Sequence, residues 1–206
     1  MTTMLARTVA GGAFGLLIAA SMAAAQQPGM VRVRGTIEGV EGSVLTVKGR
    51  DGATIKVKLA DNAPVRTVVR ASLADIKPGS FIGVTGMPQP DGSQKAVEVH
   101  IFPEAMRGTG EGFRPWDLRP NSTMTNATVD NEVASVDGQV LTLKYKDGEK
   151  KIIVPSTAAI VTYGPATAAD LKVGAKVFVA FAKKEADGTL EAPNVTVGRD
   201  GVDPPM

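Results

Sequence analysis

Val40-Glu41-Gly42-Ser43-Val44-Leu45-Thr46-Val47-Lys48 reappears 96 positions later as Val136-Asp137-Gly138-Gln139-Val140-Leu141-Thr142-Leu143-Lys144. Neighbouring turns keep the frame. Asp51-Gly52 falls on Asp147-Gly148 and Asp91-Gly92 on Asp187-Gly188, while Ser72-Leu73-Ala74-Asp75-Ile76-Lys77-Pro78-Gly79 matches Thr167-Ala168-Ala169-Asp170-Leu171-Lys172-Val173-Gly174 with a one-residue slip. Composition bias would scatter such dipeptides, so the chain reads as a tandem duplication. The period is too long and the copies too few for a solenoid. Two small domains are expected, residues 30–102 and 128–199, joined by a segment 103–127 and followed by a tail 200–206.

Within each copy the apolar period is two. Val31, Val33 and Ile37 alternate with Arg32, Arg34, Thr36 and Glu38, and Leu45, Val47, Ile55, Val57, Leu59, Val97, Val99 and Ile101 continue the pattern, as half-buried strands do. Asp-Gly and Glu-Gly accept the positive φ of tight hairpins, so neighbouring strands should pair antiparallel. One helical signal per copy is short: Ser72 or Thr167 as N-cap, an Asp three residues on, Ile76 or Leu171 facing inward, and a stop at Gly79 or Gly174, consistent with capping chemistry. Five or six short strands in about seventy residues are too few for a large sandwich, and closing the sheet removes exposed edges. The expected fold class is all-β: two tandem small OB-like antiparallel β-barrels, each with one short helix, joined by an ordered irregular segment.

These motifs carry a resemblance. Ser43-Val44-Leu45-Thr46-Val47, Ala74-Asp75-Ile76-Lys77-Pro78-Gly79 and Asp91-Gly92-Ser93-Gln94, repeated as Gln139-Val140-Leu141-Thr142-Leu143, Ala169-Asp170-Leu171-Lys172-Val173-Gly174 and Asp187-Gly188-Thr189-Leu190, resemble the exported bacterial OB-like domain-of-unknown-function family numbered 5666. The likeness covers both copies, about two thirds of the chain. It implies a fold and an exported compartment, and no catalytic residues.

The start of the chain agrees with export. Arg7 precedes an uncharged apolar run over residues 9–25 that ends in Ser21-Met22-Ala23-Ala24-Ala25, the order of a secretory signal peptide. A signal peptide over residues 1–25, cleaved near Ala25, gives a periplasmic or secreted protein with no membrane span in the mature chain. The absence of Cys excludes disulfides, thiolate catalysis and a lipoprotein anchor, and the single His100 excludes poly-His metal centres. A net charge of +2 and 4% aromatic residues argue against nucleic acid as partner.

The segment 103–127 belongs to neither copy. It holds the only Trp, Trp116, with Phe113, Arg107, Arg114, Glu104 and Glu111; bulky apolar groups need somewhere to be buried, so it should pack rather than hang as a linker. One reading places Trp116 and Phe113 in a seam between the barrels, with Arg114 paired to Glu111 or Asp117. The sharper reading makes a groove for a ligand or partner, with Trp116 as a stacking face and Arg107 and Arg114 as anion contacts.

His100 lies in phase with Glu98 on the polar side of its strand, where the second copy has Thr196 and Asn194. With Glu104 and Met106 nearby in sequence, a soft metal site of His100, Glu98, Glu104 and Met106 can be drawn; the plainer expectation is an exposed histidine in a surface ion pair. No nucleophile elbow or paired-carboxylate motif accompanies it, so no enzyme and no cofactor are expected. The chain therefore reads as an exported, soluble, non-catalytic binding or structural module for an unknown small ligand or periplasmic protein. Alternatives are periplasmic metal handling through His100, and oligosaccharide or oligonucleotide binding on an OB-like face.

Overall fold

The computed structural model describes residues 30–135 and 137–204; the expected signal peptide lies outside them. The chain is all-β with a β-barrel core. In copy 1 the strands are β1 (Met30–Glu41), β2 (Val44–Gly49), β3 (Thr54–Leu59), β4 (Val65–Arg70), β5 (Phe81–Pro88) and β6 (Gln94–Ile101). A short β7 (Gly112–Pro115) follows. Copy 2 supplies β8 (Thr123–Ser135), β9 (Gly138–Tyr145), β10 (Gly148–Pro155), β11 (Ala159–Gly164), β12 (Lys176–Lys184), β13 (Leu190–Ala192) and β14 (Val195–Gly198).

The period-two pattern does what the sequence implies. Val33, Ile37, Leu45, Val47, Val57 and Leu59 are buried, while Lys48, Lys56 and Lys58 between them face solvent. The short helices are smaller than expected. Each is a single 3-10 turn, Leu73–Asp75 and Ala168–Asp170, closed by a reciprocal cap in which Asp75 accepts from Ser72 and Asp170 from Thr167. Three residues leave no room for an α-helical turn before Gly79 and Gly174 reverse the chain at positive φ.

The strand pairing departs from two self-contained copies. One ring runs β1-β2-β3-β13-β12 and closes through β1–β12; the other runs β8-β9-β10-β6-β5 and closes through β5–β8. Each ring therefore joins the first half of one copy to the second half of the other, and residues 30–102 and 128–199 are repeat units rather than separate barrels. The cores agree. One cluster unites Ile37, Leu45 and Val57 with Val177, Val179 and Val195, and the other unites Ile82, Val84 and Val99 with Val129, Leu141 and Ile152.

The crossing is made by β4 and β11, which pair antiparallel with Val68 opposite Tyr163. With the one-residue slip these two are equivalent positions, so a pseudo-two-fold axis passes between them. Strands β4 and β14 pair parallel with Val65 opposite Val195, and β11 and β6 repeat this with Ile160 opposite Val99. The first hairpin breaks the symmetry. Ile37 pairs Val47 and Val129 pairs Leu143, so before the turn the copies correspond four residues away from the frame that Gly42 and Gly138 suggest.

Candidate functional site

At the crossing a third cluster forms from Val68 of β4, Val161 of β11, Phe178 of β12 and Val202, with Trp116 and Tyr163 packed against it. Trp116 reaches it because β7 hydrogen-bonds to β8 and the chain then folds back: Trp116 N donates to Ser122 O at 2.8 Å, and Ser122 Oγ donates to Arg119 O at 2.8 Å. The indole is half-buried. Trp116 thus sits at the seam where the copies exchange strands.

Three guanidiniums converge on that ring. Arg32 lies 4.1 Å from its centroid, Arg114 5.5 Å and Arg34 6.0 Å. Arg32 and Arg34 share one face of β1, opposite buried Val33; Arg34 also stands 4.7 Å over Phe178. Their shared carboxylate is Asp117, 3.3 Å from Arg32 Nη1 and accepting from Arg34 Nη2 at 2.9 Å. Burial alone would push Asp117's carboxyl up, but Arg34 and Arg32 outweigh it and hold it below the ordinary carboxylate range.

Arg114 has no carboxylate partner among the described residues. It donates to Gly110 O at 2.7 Å, and burial, followed by the charge of Arg32, lowers its pKa. Arg32 Nε and Trp116 Nε1 are buried donors with no acceptor among the described residues. Such donors cost free energy unless something accepts from them. Among the described residues the face brings together three cations, one anion and two unmet donors, an arrangement suited to an oxyanion.

The other expected residues lie elsewhere. Arg107 turns to Glu104, donating to its Oε2 at 2.7 Å and to Gly79 O at 2.9 Å, so it is not an anion contact beside Arg114. Phe113 is 40% exposed, beneath Lys150 Nζ at 4.6 Å, and does not fill the seam. Glu111 accepts from Lys146 N at 3.0 Å rather than pairing Arg114. Sequence reasoning did not link Arg32 and Arg34 to Trp116; the sign was two arginines two apart on one strand face, without an indication of what they would meet.

His100 is buried, not a surface residue. Strand β6 is covered on both sides: Val99 faces the second core, and Glu98 and His100 face the seam under Phe102, 4.5 Å from the imidazole. His100 Nδ1 donates to Glu98 Oε1 at 2.8 Å, and Glu98 Oε2 accepts from Thr85 Oγ1 at 2.8 Å. All three are no more than 2% exposed. Glu104, by contrast, is exposed and engaged by Arg107, and Met106 lies with it in the 3-10 turn Glu104–Met106. The drawn metal set is therefore not gathered, and no group of three His, Asp or Glu side chains fit for a metal occurs among the described residues.

Nearby, Tyr163 stacks on Phe102 at 5.9 Å. Burial pushes its phenol up to about 12, with Arg66 opposing and the Glu98 charge adding. No helix among the described residues is long and apolar enough to cross a membrane. No family model, curated protein or solved structure matches the chain.

Proposed function

We propose that the protein is an exported, soluble, non-catalytic binding module of two OB-like barrels, related to the family numbered 5666, and that its ligand is an anion held at Trp116. The observation that carries the reading is the approach of Arg32, Arg34 and Arg114 to one indole, with Asp117 the carboxylate of Arg32 and Arg34 alone. Guanidiniums crowd together at a cost that an anion offsets, and an oxyanion accepts from several of their planar N–H groups at once.

Arg32 already occupies a face of the indole at 4.1 Å. That favours the guanidiniums as ligand contacts, with the ring as their support, over stacking of a base or sugar on Trp116. Metal handling through His100 gains no support from a ring nitrogen engaged by Glu98 and a Glu104 engaged by Arg107.

Because Trp116 is the only tryptophan, its emission reports the site directly. Titration with sulfate, phosphate and citrate at constant ionic strength should change it saturably, and Arg114→Ala and Arg32→Ala should weaken the response at least tenfold. A response that is absent, or equal in all three proteins, would overturn the proposal.

A further inference from the structure

We infer that the protein trades repeats with a second molecule of itself, giving a dimer in which copy 1 of each chain closes its rings with copy 2 of the other. Among the described residues no strand pairing joins β1–β3 to β5–β6 within copy 1, or β8–β10 to β12–β14 within copy 2. A copy has no partner of its own. What it requires is the complementary halves of another copy, and the pairing registers contain nothing that depends on which chain supplies them.

Residues 102–122 are the covalent tie between β6 and β8, and Gly108, Gly110 and Gly112 in that stretch have positive φ. With β7 kept on β8, the free part of the tie is residues 102–111, and ten residues reach about 35 Å when extended, enough to run between two adjoining assemblies. The intramolecular form is favoured by the effective concentration of tethered copies, on the order of millimolar for a short flexible connection. Folding at comparable protein concentration therefore populates the exchanged form alongside the monomer. Once formed it persists, because reversal requires both rings to open.

The exchange also alters the Trp116 face. Arg32 and Arg34 belong to β1, whereas Trp116 and Arg114 are anchored to copy 2 through the β7–β8 pairing. In the dimer each face is shared by two chains. This consequence rests on the proposed function, while the exchange itself rests on strand pairing alone.

Thr36 and Lys176 pair across β1 and β12, with Lys176 Nζ donating to Thr36 Oγ1 at 2.8 Å, and the chain has no Cys. Full-length Thr36→Cys and Lys176→Cys chains, mixed unfolded and refolded together near millimolar concentration, should form dimers of which about half carry an interchain disulfide, following random mixing of the two chains. The same proteins folded separately and then mixed should not. The double variant, Thr36→Cys with Lys176→Cys in one chain, should close an intrachain disulfide when refolded dilute, which verifies the pair's geometry and the variant's folding. A refolded mixture that is wholly monomeric by light scattering, or dimeric without the heterotypic disulfide, would overturn the exchange. Neither result depends on anion binding, so it leaves the proposed ligand untouched.

Discussion

Gly83 lies opposite His100 across β5 and β6, and the imidazole rests where a side chain at Gly83 would be: a Cβ there would stand 2.2 Å from His100 Nε2. In the other ring the equivalent pair is Phe178 opposite Thr196. Large and small have changed places. The two seam-facing sites fill similar space by opposite choices, which explains why one copy holds a histidine and the other does not.

Gly83→Ala should therefore destabilise the protein by about 1 to 3 kcal/mol or more, the range for overpacking a close-packed site. The ring cannot swing aside without losing its bond to Glu98. Gly83→Phe should be worse, and adding Glu98→Asn and His100→Thr, the choices of the other copy, should recover much of the loss. Urea denaturation of the three proteins checks this; a triple variant no more stable than Gly83→Phe would mean that the sites are not interchangeable.

Trp116→Ala should cost about 2 to 3 kcal/mol, below the roughly 3 to 5 for a fully buried large aromatic, because the indole is half-buried on its cluster. The loss should be accompanied by weaker anion binding, since the ring supports Arg32. Thermal melts and a calorimetric anion titration on the same variant separate the two effects.

Acid should weaken the seam. Asp117's carboxyl is held low by Arg34 and Arg32 against its burial, so its contribution is present above the unfolded carboxylate value of about 3.9 and is lost as pH falls through the folded value. Asp117→Asn should be less stable than the parent at pH 7 and should converge on it in acid. Parallel denaturation curves from pH 7 to pH 2 test this; a constant difference would remove Asp117 from the acid response.

At the alkaline end the sign reverses. Tyr163 is raised to about 12 chiefly by burial, so the folded state favours the neutral phenol. Its contribution is complete below the unfolded value of about 10 and disappears as pH climbs through about 12, a difference of about 2 to 3 kcal/mol. Tyr163→Phe should lack that part of the decline. Absorbance titration of the folded parent should show one tyrosine ionising late.

Periodicity made much of this architecture legible, because alternation at Val33, Leu45, Val47 and Val57 fixes which face is buried whichever strand lies alongside. Partner choice was not legible. Two copies with the same pattern offer one another the same edges, so pairing within a copy and between copies is degenerate in sequence. The turn dipeptides mark local hairpins such as β2–β3 and β9–β10, but not the closures β1–β12 and β5–β8. The same gap explains His100: its polar-phase neighbours suggest solvent only while the seam covering β6 is unknown. At Trp116 the sequence pointed to the right segment, and the missing half of the face came from β1, more than eighty residues away along the chain.

The crossing of the copies changes what cutting the chain should do. If residues 30–102 formed one barrel and 128–199 another, a cut between them would release two folded pieces. Here each piece carries half of both rings, and β1–β12, β5–β8 and β4–β11 bind the pieces by backbone hydrogen bonds and two shared cores. A specific protease site inserted at Thr109, in the exposed Gly108–Gly110 stretch, should therefore give a nicked protein that migrates as one particle with both fragments in equal amount and nearly unchanged circular dichroism. Its unfolding should become concentration-dependent, since the tether no longer supplies an effective concentration and dissociation accompanies unfolding. Separation of the fragments in native buffer, each keeping its β-structure, would mean that the copies close their own barrels and that the strand crossing is wrong.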